Sequence, residues 1–151
     1  MRYGFNYVSQ FRNEWQLRIG FSAQYSKDAL VSGEQYGIGG PDTVRGYALR
    51  ELAKDKGNAV QLELYTPDMA SRVGLSDSLH VRFLAFYDYG SVENNDTQPA
   101  DKDSIASTGA GLRLSYGKTL SLRLDAAQIL QTTAGRESGS HRLSGAIALI
   151  F

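Results

Sequence analysis

The feature that most limits the fold of this chain is the alternation of apolar and polar residues in seven separate segments. Side chains of a β-strand point alternately to opposite faces, so this pattern is typical of strands with one apolar face. In the sixth segment, for example, Leu122 and Leu124 alternate with Arg123 and Asp125. Helical periodicity is weak throughout, and the pattern predicts an all-β, antiparallel fold. The segments are residues 3–11, 15–25, 58–66, 79–90, 105–116, 119–130 and 141–151.

Two architectures fit this alternation. In a soluble β-sandwich the apolar faces of two sheets form a shared core and the polar faces meet water. In a transmembrane β-barrel the apolar face meets lipid and the polar face lines a wet lumen. Each segment is roughly 9–12 residues long, which suits a tilted strand that crosses a bilayer. Alternation alone leaves both architectures open.

The links between the segments favour the barrel. Short links at 12–14 and 117–118 contrast with long ones at 26–57, 91–104 and 131–140. Outer-membrane barrels have short periplasmic turns and longer external loops, so the three long links are expected on the external side. Aromatic residues near the segment ends suit the interfacial girdles of such a barrel.

The composition narrows the possible functions. Lys+Arg and Asp+Glu are both 16, so the formal net charge of +0 gives no support for nucleic-acid binding. The absence of cysteine excludes disulfides and Cys-ligated metals. His80 and His141 lie far apart without nearby ligand partners, and the glycine-rich stretch at 37–46 lacks a phosphate-loop ending. We therefore predict no metal, no cofactor and no enzymatic activity.

Seven strands are an odd number for a single-chain bacterial barrel, and an open sheet edge cannot persist in lipid. Residues 1–151 are therefore expected to be the C-terminal part of a larger outer-membrane barrel, with its first strands missing. The first residues also have no apolar signal core, so an exported protein is expected to begin upstream.

Three motifs follow one another in a fixed order. The stretch "GGPDTVRGY" covers 39–47 in the longest link, "ELYTP" covers 63–67, and "FYDYG" covers 86–90. They are followed by "STGAGLRL" at 107–114 and by a last strand that ends at Phe151. Together they resemble the C-terminal barrel of the two-partner secretion transporters (TpsB, haemolysin-activator and filamentous-haemagglutinin-secretion type), in the superfamily of BamA and TamA.

The resemblance implies a sixteen-stranded pore in the bacterial outer membrane, preceded by periplasmic POTRA domains. Such a pore secretes a large β-rich partner protein of the haemolysin or adhesin type to the cell surface. The expected partners are this cargo, outer-membrane lipid, and the barrel-assembly machinery during biogenesis. The alternative function within the superfamily is insertion of other barrels into the outer membrane, as BamA and TamA perform. A soluble β-sandwich binding module is a third possibility.

The resemblance also assigns the site. It places Val44, Arg45, Gly46 and Tyr47 at the tip of the long loop 26–57, which folds back into the lumen. The partners of Arg45 on the inner wall would be Asp88 and Glu63. Strand parity places both carboxylates on the polar faces of their strands. The alternatives are that Arg45 is an exposed loop residue and that Asp88 is a turn residue before Gly90.

The remaining motif residues have supporting roles in this hypothesis. Gly39, Gly40 and Pro41 would set the turn that directs the tip inward. Gly109 and Gly111 would leave space for the tip on the inward face of their strand. Phe86 and Gly90 complete the "FYDYG" motif, and Phe151 is expected to be the C-terminal signal. Three further charged residues are interpreted as a solvated lumen wall: Arg113, Arg123 and Asp125.

Overall fold

The computed structural model describes residues 1–95, 101–133, 135 and 137–150; Phe151 and parts of the expected links 91–104 and 131–140 lie outside these residues. Within the described ranges no helix is long and apolar enough to cross a membrane. The elements are β1 (Arg2–Gln10), β2 (Gln16–Gln24), β3 (Tyr36–Ile38), β4 (Leu52–Lys54), β5 (Lys56–Tyr65), α1 (Met69–Arg72), β6 (Leu79–Glu93), β7 (Lys102–Tyr116), β8 (Leu120–Ile129) and β9 (His141–Leu149).

Seven strands form one antiparallel sheet in the order β1-β2-β5-β6-β7-β8-β9. The long loop lies between β2 and β5 and contains a small hairpin of its own, β3–β4. The sheet is not closed, because in the described part of the chain β1 and β9 each pair along one edge only. The prediction of an all-β antiparallel fold is confirmed, and the sheet has the form of part of a barrel.

The hairpin β6–β7 is longer than the alternation predicted. Its ladder continues to the pair Glu93–Lys102, three residues beyond the expected strand end at 90. Within this extra length Val92 is 0 % exposed and packs with Ile105 beneath the long loop, whereas Lys102 and Asp103 are exposed. The sequence pattern assigns this extension to a link, because residues 91–93 and 102–104 are mostly polar.

The two faces of the sheet differ in what covers them. We call the face on which the long loop packs the inner face; it carries Phe86, Asp88 and Asp125, all buried. The opposite, outer face leaves large apolar side chains in the open, as with Phe83 (50 % exposed) and Ile147 (65 % exposed). A soluble β-sandwich has the reverse arrangement, with its apolar faces covered. The polarity of the sheet is therefore that of a membrane barrel.

The long loop is held to its neighbouring link by Asp55, which is 3 % exposed. One carboxylate oxygen accepts the amide of Leu30 at 2.8 Å, and the other accepts the amide of Asn95 at 2.9 Å. These two backbone donors, first Asn95 and then Leu30, hold the pKa of Asp55 below its usual value. Lys54 adds a second tie, with its Nζ 2.6 Å from Asp101 and 2.8 Å from Asp103.

We expect the Asp55→Asn substitution to weaken the docking of the long loop. A hydrogen bond to a charged group contributes about 1.5–3 kcal/mol, so amide hydrogens of Leu30 and Asn95 should exchange about tenfold faster or more. The Asp28→Asn substitution in the same loop is the control, because the Asp28 carboxylate is exposed.

The same contact has a pH dependence of defined sign. Because folding lowers the pKa of Asp55, its stabilisation is complete above the ordinary carboxyl pKa of about 4 and disappears as the pH falls through the lower folded value. Loop protection in hydrogen exchange should therefore drop further on acidification in the wild type than in the Asp55→Asn protein, which retains only the other carboxylates of the loop contacts. Equal acid sensitivity of both proteins would contradict the assignment.

Candidate functional site

The tip of the long loop folds back through a turn at residues 39–43. Gly39 and Gly40 have φ of 108° and 97°, a backbone region that residues with a Cβ rarely adopt. A Cβ on Gly39 would lie 2.3 Å from the carbonyl oxygen of Ala48. Thr43 closes the turn, since its hydroxyl accepts from the Gly39 amide at 2.9 Å and donates to the Gly39 carbonyl at 3.1 Å. The turn directs the following residues toward the inner face of the sheet.

Arg45 is the largest fully buried side chain of the described residues, with 1 % exposed. Its Nε and Nη2 donate to the two oxygens of Asp88, each at 2.7 Å. Its backbone amide also donates to Asp88 Oδ2 at 3.0 Å. Asp88 is itself 0 % exposed on β6. The two planar groups thus form a bidentate pair, which fixes the orientation of the loop tip as well as its position.

The rest of the Arg45 guanidinium is also enclosed. Nη1 donates to Glu63 Oε1 on β5 at 2.7 Å and lies 3.8 Å from Asp125 Oδ1 on β8. The guanidinium carbon is 3.7 Å from the ring centroid of Phe86, which contributes a cation–π contact. Arg45 therefore contacts carboxylates from three strands and one aromatic face.

Asp125 links this group to two further arginines. It is 3 % exposed, and its oxygens accept from Arg113 Nη2 at 2.8 Å and from Arg123 Nε at 2.9 Å. Charge neutrality reduces the cost of burying so many ions in one place. The cluster balances three guanidinium groups against three carboxylates: Arg45, Arg113 and Arg123 against Glu63, Asp88 and Asp125.

The two residues after Arg45 attach the tip to β7 and β8. Gly46 has φ of 90°, and a Cβ there would lie 3.1 Å from the Cβ of Ala127. The Tyr47 hydroxyl donates to two carbonyl oxygens, that of Ala106 at 3.0 Å and that of Gln131 at 2.7 Å. The hydroxyl oxygen itself accepts from the Gln131 amide at 3.3 Å. Tyr47 thereby joins the loop tip to the end of β8.

Glycines on the inner face of the sheet leave room for the site. Most of this room is taken by side chains of the sheet itself, not by the loop tip. At Gly109 the nearest atoms to an added Cβ are Ala126 O at 2.0 Å and Phe86 Cζ at 2.7 Å. At Gly111 the nearest atom is Asp125 Oδ1 at 2.5 Å. The space above Gly90 meets the long loop directly, through Ile38 and Val44 at 3.1 Å, as does the space above Gly57, through Tyr36 at 2.8 Å. Gly109 and Gly111 thus make room for Phe86 and Asp125, which in turn contact Arg45.

The structure brings most of the residues singled out in the sequence to one place. The tip residues 44–47 lie against the inner face, and Asp88 and Glu63 lie beside Arg45. Asp88 lies within β6, not in a turn. Pro41 is exposed in the turn at 39–43, and Phe151 lies outside the described residues.

Asp125 and the contact of Phe86 are the parts that sequence reasoning missed. The prediction that Asp125 is part of a solvated wall is wrong, because its side chain is buried and shared by three arginines. Its alternation in β8 placed it on the inner face, and no sequence signal gives its distance from Arg45. Within the described ranges, no three His, Asp or Glu side chains are grouped so as to hold a metal ion.

We expect the Gly109→Ala substitution to disrupt the site. The added Cβ would overlap a backbone carbonyl and push the Phe86 ring against Arg45, at a cost of about 3 kcal/mol or more. The folded fraction, measured by heat-modifiable migration on gels, should fall. The matched control is Gly33→Ala, where an added Cβ meets nothing within 4 Å. Equal folding of the two proteins would contradict the close packing at Gly109.

Comparison with known proteins agrees with the order of the motifs. Residues 1–114 match the model of the family described as haemolysin secretion/activation protein ShlB/FhaC/HecB. No curated protein and no solved structure gives a significant match. The matched range contains the loop tip, Glu63 and Asp88, while Asp125 lies beyond it. The family transports partner proteins by two-partner secretion and is located in the outer membrane. The chain thus belongs to the ShlB/FhaC/HecB family of haemolysin secretion/activation proteins.

Proposed function

We propose that this chain forms the C-terminal seven strands of an outer-membrane pore that secretes a large β-rich partner protein to the cell surface. The observation that carries the proposal is the fully buried Arg45, held against the inner wall by Asp88 and Glu63. The long loop folds back onto the polar face of the sheet and is fixed there by ion pairs. Such a loop is suited to filling the lumen of the pore while no partner protein is being secreted.

The open edges of the sheet support a larger barrel. In the described part of the chain, β1 and β9 present one unpaired edge each. Unpaired backbone N–H and C=O groups in hydrocarbon cost several kcal/mol each, so further strands are expected to pair with both edges. By analogy with the family we propose sixteen strands in total, with POTRA domains before them in the periplasm.

The exposed outer face supports contact with outer-membrane lipid. Leu62, Tyr87 and Leu124 lie on this face and are 37 %, 42 % and 42 % exposed. We propose that the ends carrying links 26–57, 91–104 and 131–140 face the cell exterior, since these three links lie at the same end of the sheet. Insertion into the membrane would then require the barrel-assembly machinery.

The Arg45 tip would act as an internal brace of the pore. It contacts β5, β6 and β8 through Glu63, Asp88 and Asp125, so its release would remove a cation from carboxylates of three strands at once. Removing one partner of a buried ion pair costs about 3–5 kcal/mol because the other charge is left uncompensated. The brace is therefore strong enough to set which shape of the lumen predominates.

We expect the Arg45→Ala substitution in the full-length protein to reduce secretion of the partner strongly, since the loss of about 3–5 kcal/mol releases the tip. The Arg45→Lys protein should recover only part of the activity, because an ammonium lacks the planar fork that binds both Asp88 oxygens. The measurement is secreted partner per folded transporter, which separates activity from assembly. Lys27→Ala, at an exposed cation of the same loop, is the control.

If the folded Arg45→Ala protein secreted as much partner as the wild type, the proposed role of the Arg45 tip as an internal brace would be rejected. A general loss of outer-membrane barrels in cells that lack the transporter would instead favour barrel insertion as the function.

The pairing itself can be tested by exchanging the charges. Arg45→Asp and Asp88→Arg alone each create a like-charge contact, so both single changes should lower the folded fraction. The double exchange should recover part of it, limited by the repulsion between Glu63 and an aspartate at position 45. No recovery beyond the single changes would count against a direct pair.

A further inference from the structure

A row of three arginines crosses the inner face on the side of Asp125 that is nearer the short turn at 117–119. Arg82 on β6 lies opposite Arg113 on β7, which in turn lies opposite Arg123 on β8. Neighbouring strands lie about 4.8 Å apart, so the three Cα atoms lie within roughly 10 Å of one another. We call these three residues the arginine row.

The arginine row is unfavourable for the stability of the sheet. Like charges directly opposite one another on neighbouring strands destabilise a sheet. Asp125 compensates Arg113 and Arg123, but its two oxygens are shared between them and Arg45. The side chain of Arg82 makes no ion pair and no hydrogen bond with any residue that the structure describes. Folding therefore leaves one guanidinium of the row with its hydrogen-bonding capacity unused.

The arginine row faces an open groove of about 510 Å³ on the inner wall. Four arginines from four strands line this groove, the fourth being Arg18 on β2. Among the described residues, the acidic ones that line it are Asp42, in the turn at 39–43, and Glu63. Glu63 is already engaged, by Arg45 at 2.7 Å and by the Tyr65 hydroxyl at 3.0 Å. The groove therefore offers more donors than acceptors.

We propose that the arginine row binds carboxylate side chains of an extended polypeptide in the lumen. A guanidinium presents a planar set of donors that matches a carboxylate, and it stays charged at any physiological pH. A polypeptide is the expected occupant because the row lies on the wall of the proposed secretion path. This inference therefore rests on the proposed function and extends it to the chemistry by which the wall holds its cargo.

The exposure of the row suits transient contacts. Arg113 and Arg123 side chains are 20 % and 39 % exposed, so ion pairs formed there remain in contact with water. Such a pair changes a dissociation constant by about fivefold or less, which is enough to orient a passing segment and too little to retain it. Arg82 would bind first, because a carboxylate need not displace Asp125 from it.

The test is the binding of a short fluorescent peptide of alternating Glu and Ser to the full-length transporter in detergent, followed by anisotropy. The same peptide with Gln in place of Glu measures the contribution of the carboxylates. We expect the Glu peptide to bind more tightly, and the difference to shrink at high salt. Its Kd should rise about threefold in the Arg82→Gln protein, the effect of one partly exposed ion pair.

The matched control is Arg12→Gln, an exposed arginine in the turn between β1 and β2. It should leave the Kd unchanged, and Arg82→Glu should weaken binding further than Arg82→Gln. An unchanged Kd in both Arg82 variants would overturn the proposal, as would an equal rise in the Arg12→Gln protein. Because the assay measures binding without secretion, a protein that binds the Glu peptide through Arg82 but secretes no partner would refute the proposed function and leave the arginine row intact.

Discussion

The structure depends on one buried contact, the bidentate pair between Arg45 and Asp88. Both groups are fully removed from solvent, and neither could be buried alone without a large loss of stability. The pair therefore couples two parts of the chain that are 43 residues apart, because the loop tip covers the carboxylate of β6 and that carboxylate in turn compensates the buried guanidinium of the tip. Asp88 also accepts a hydrogen bond from the backbone amide of Arg45. The contact therefore fixes the main chain of the loop tip in addition to pairing the two charges.

The surroundings of the pair explain the small residues of the inner wall. Phe86 lies under the guanidinium and Asp125 beside it, and both occupy space that Gly109 and Gly111 leave free on β7. A wall with ordinary side chains at these two positions would have no place for an aromatic ring or a third carboxylate next to Arg45. The glycines thus act through the residues that contact the arginine.

The polarity of the sheet links this site to the membrane. Polar and charged side chains are concentrated on the covered inner face, while large apolar side chains remain exposed on the outer face. Exposure of this apolar outer face to water costs free energy, whereas contact with lipid does not. The same alternation that gives the sheet an apolar outer face therefore also places Glu63, Asp88, Asp125 and the arginine row on the inner face.

The sequence by itself determined the seven strands of the main sheet, apart from the extension of the β6–β7 hairpin, and the face on which each charge lies, because alternation with a period of two is a local property of an extended chain. The ordered motifs also determined the family and identified Arg45, Glu63 and Asp88. Only the tertiary structure decided how these residues meet: the register between strands sets Asp125 within 3.8 Å of Arg45 and aligns Arg82 with Arg113 and Arg123. Strand parity tells which face of the sheet a side chain occupies. It does not tell which residues of the neighbouring strands lie opposite that side chain. That alignment depends on pairings between distant segments, on the extended β6–β7 hairpin and on the docked loop, none of which is visible in any single stretch of sequence.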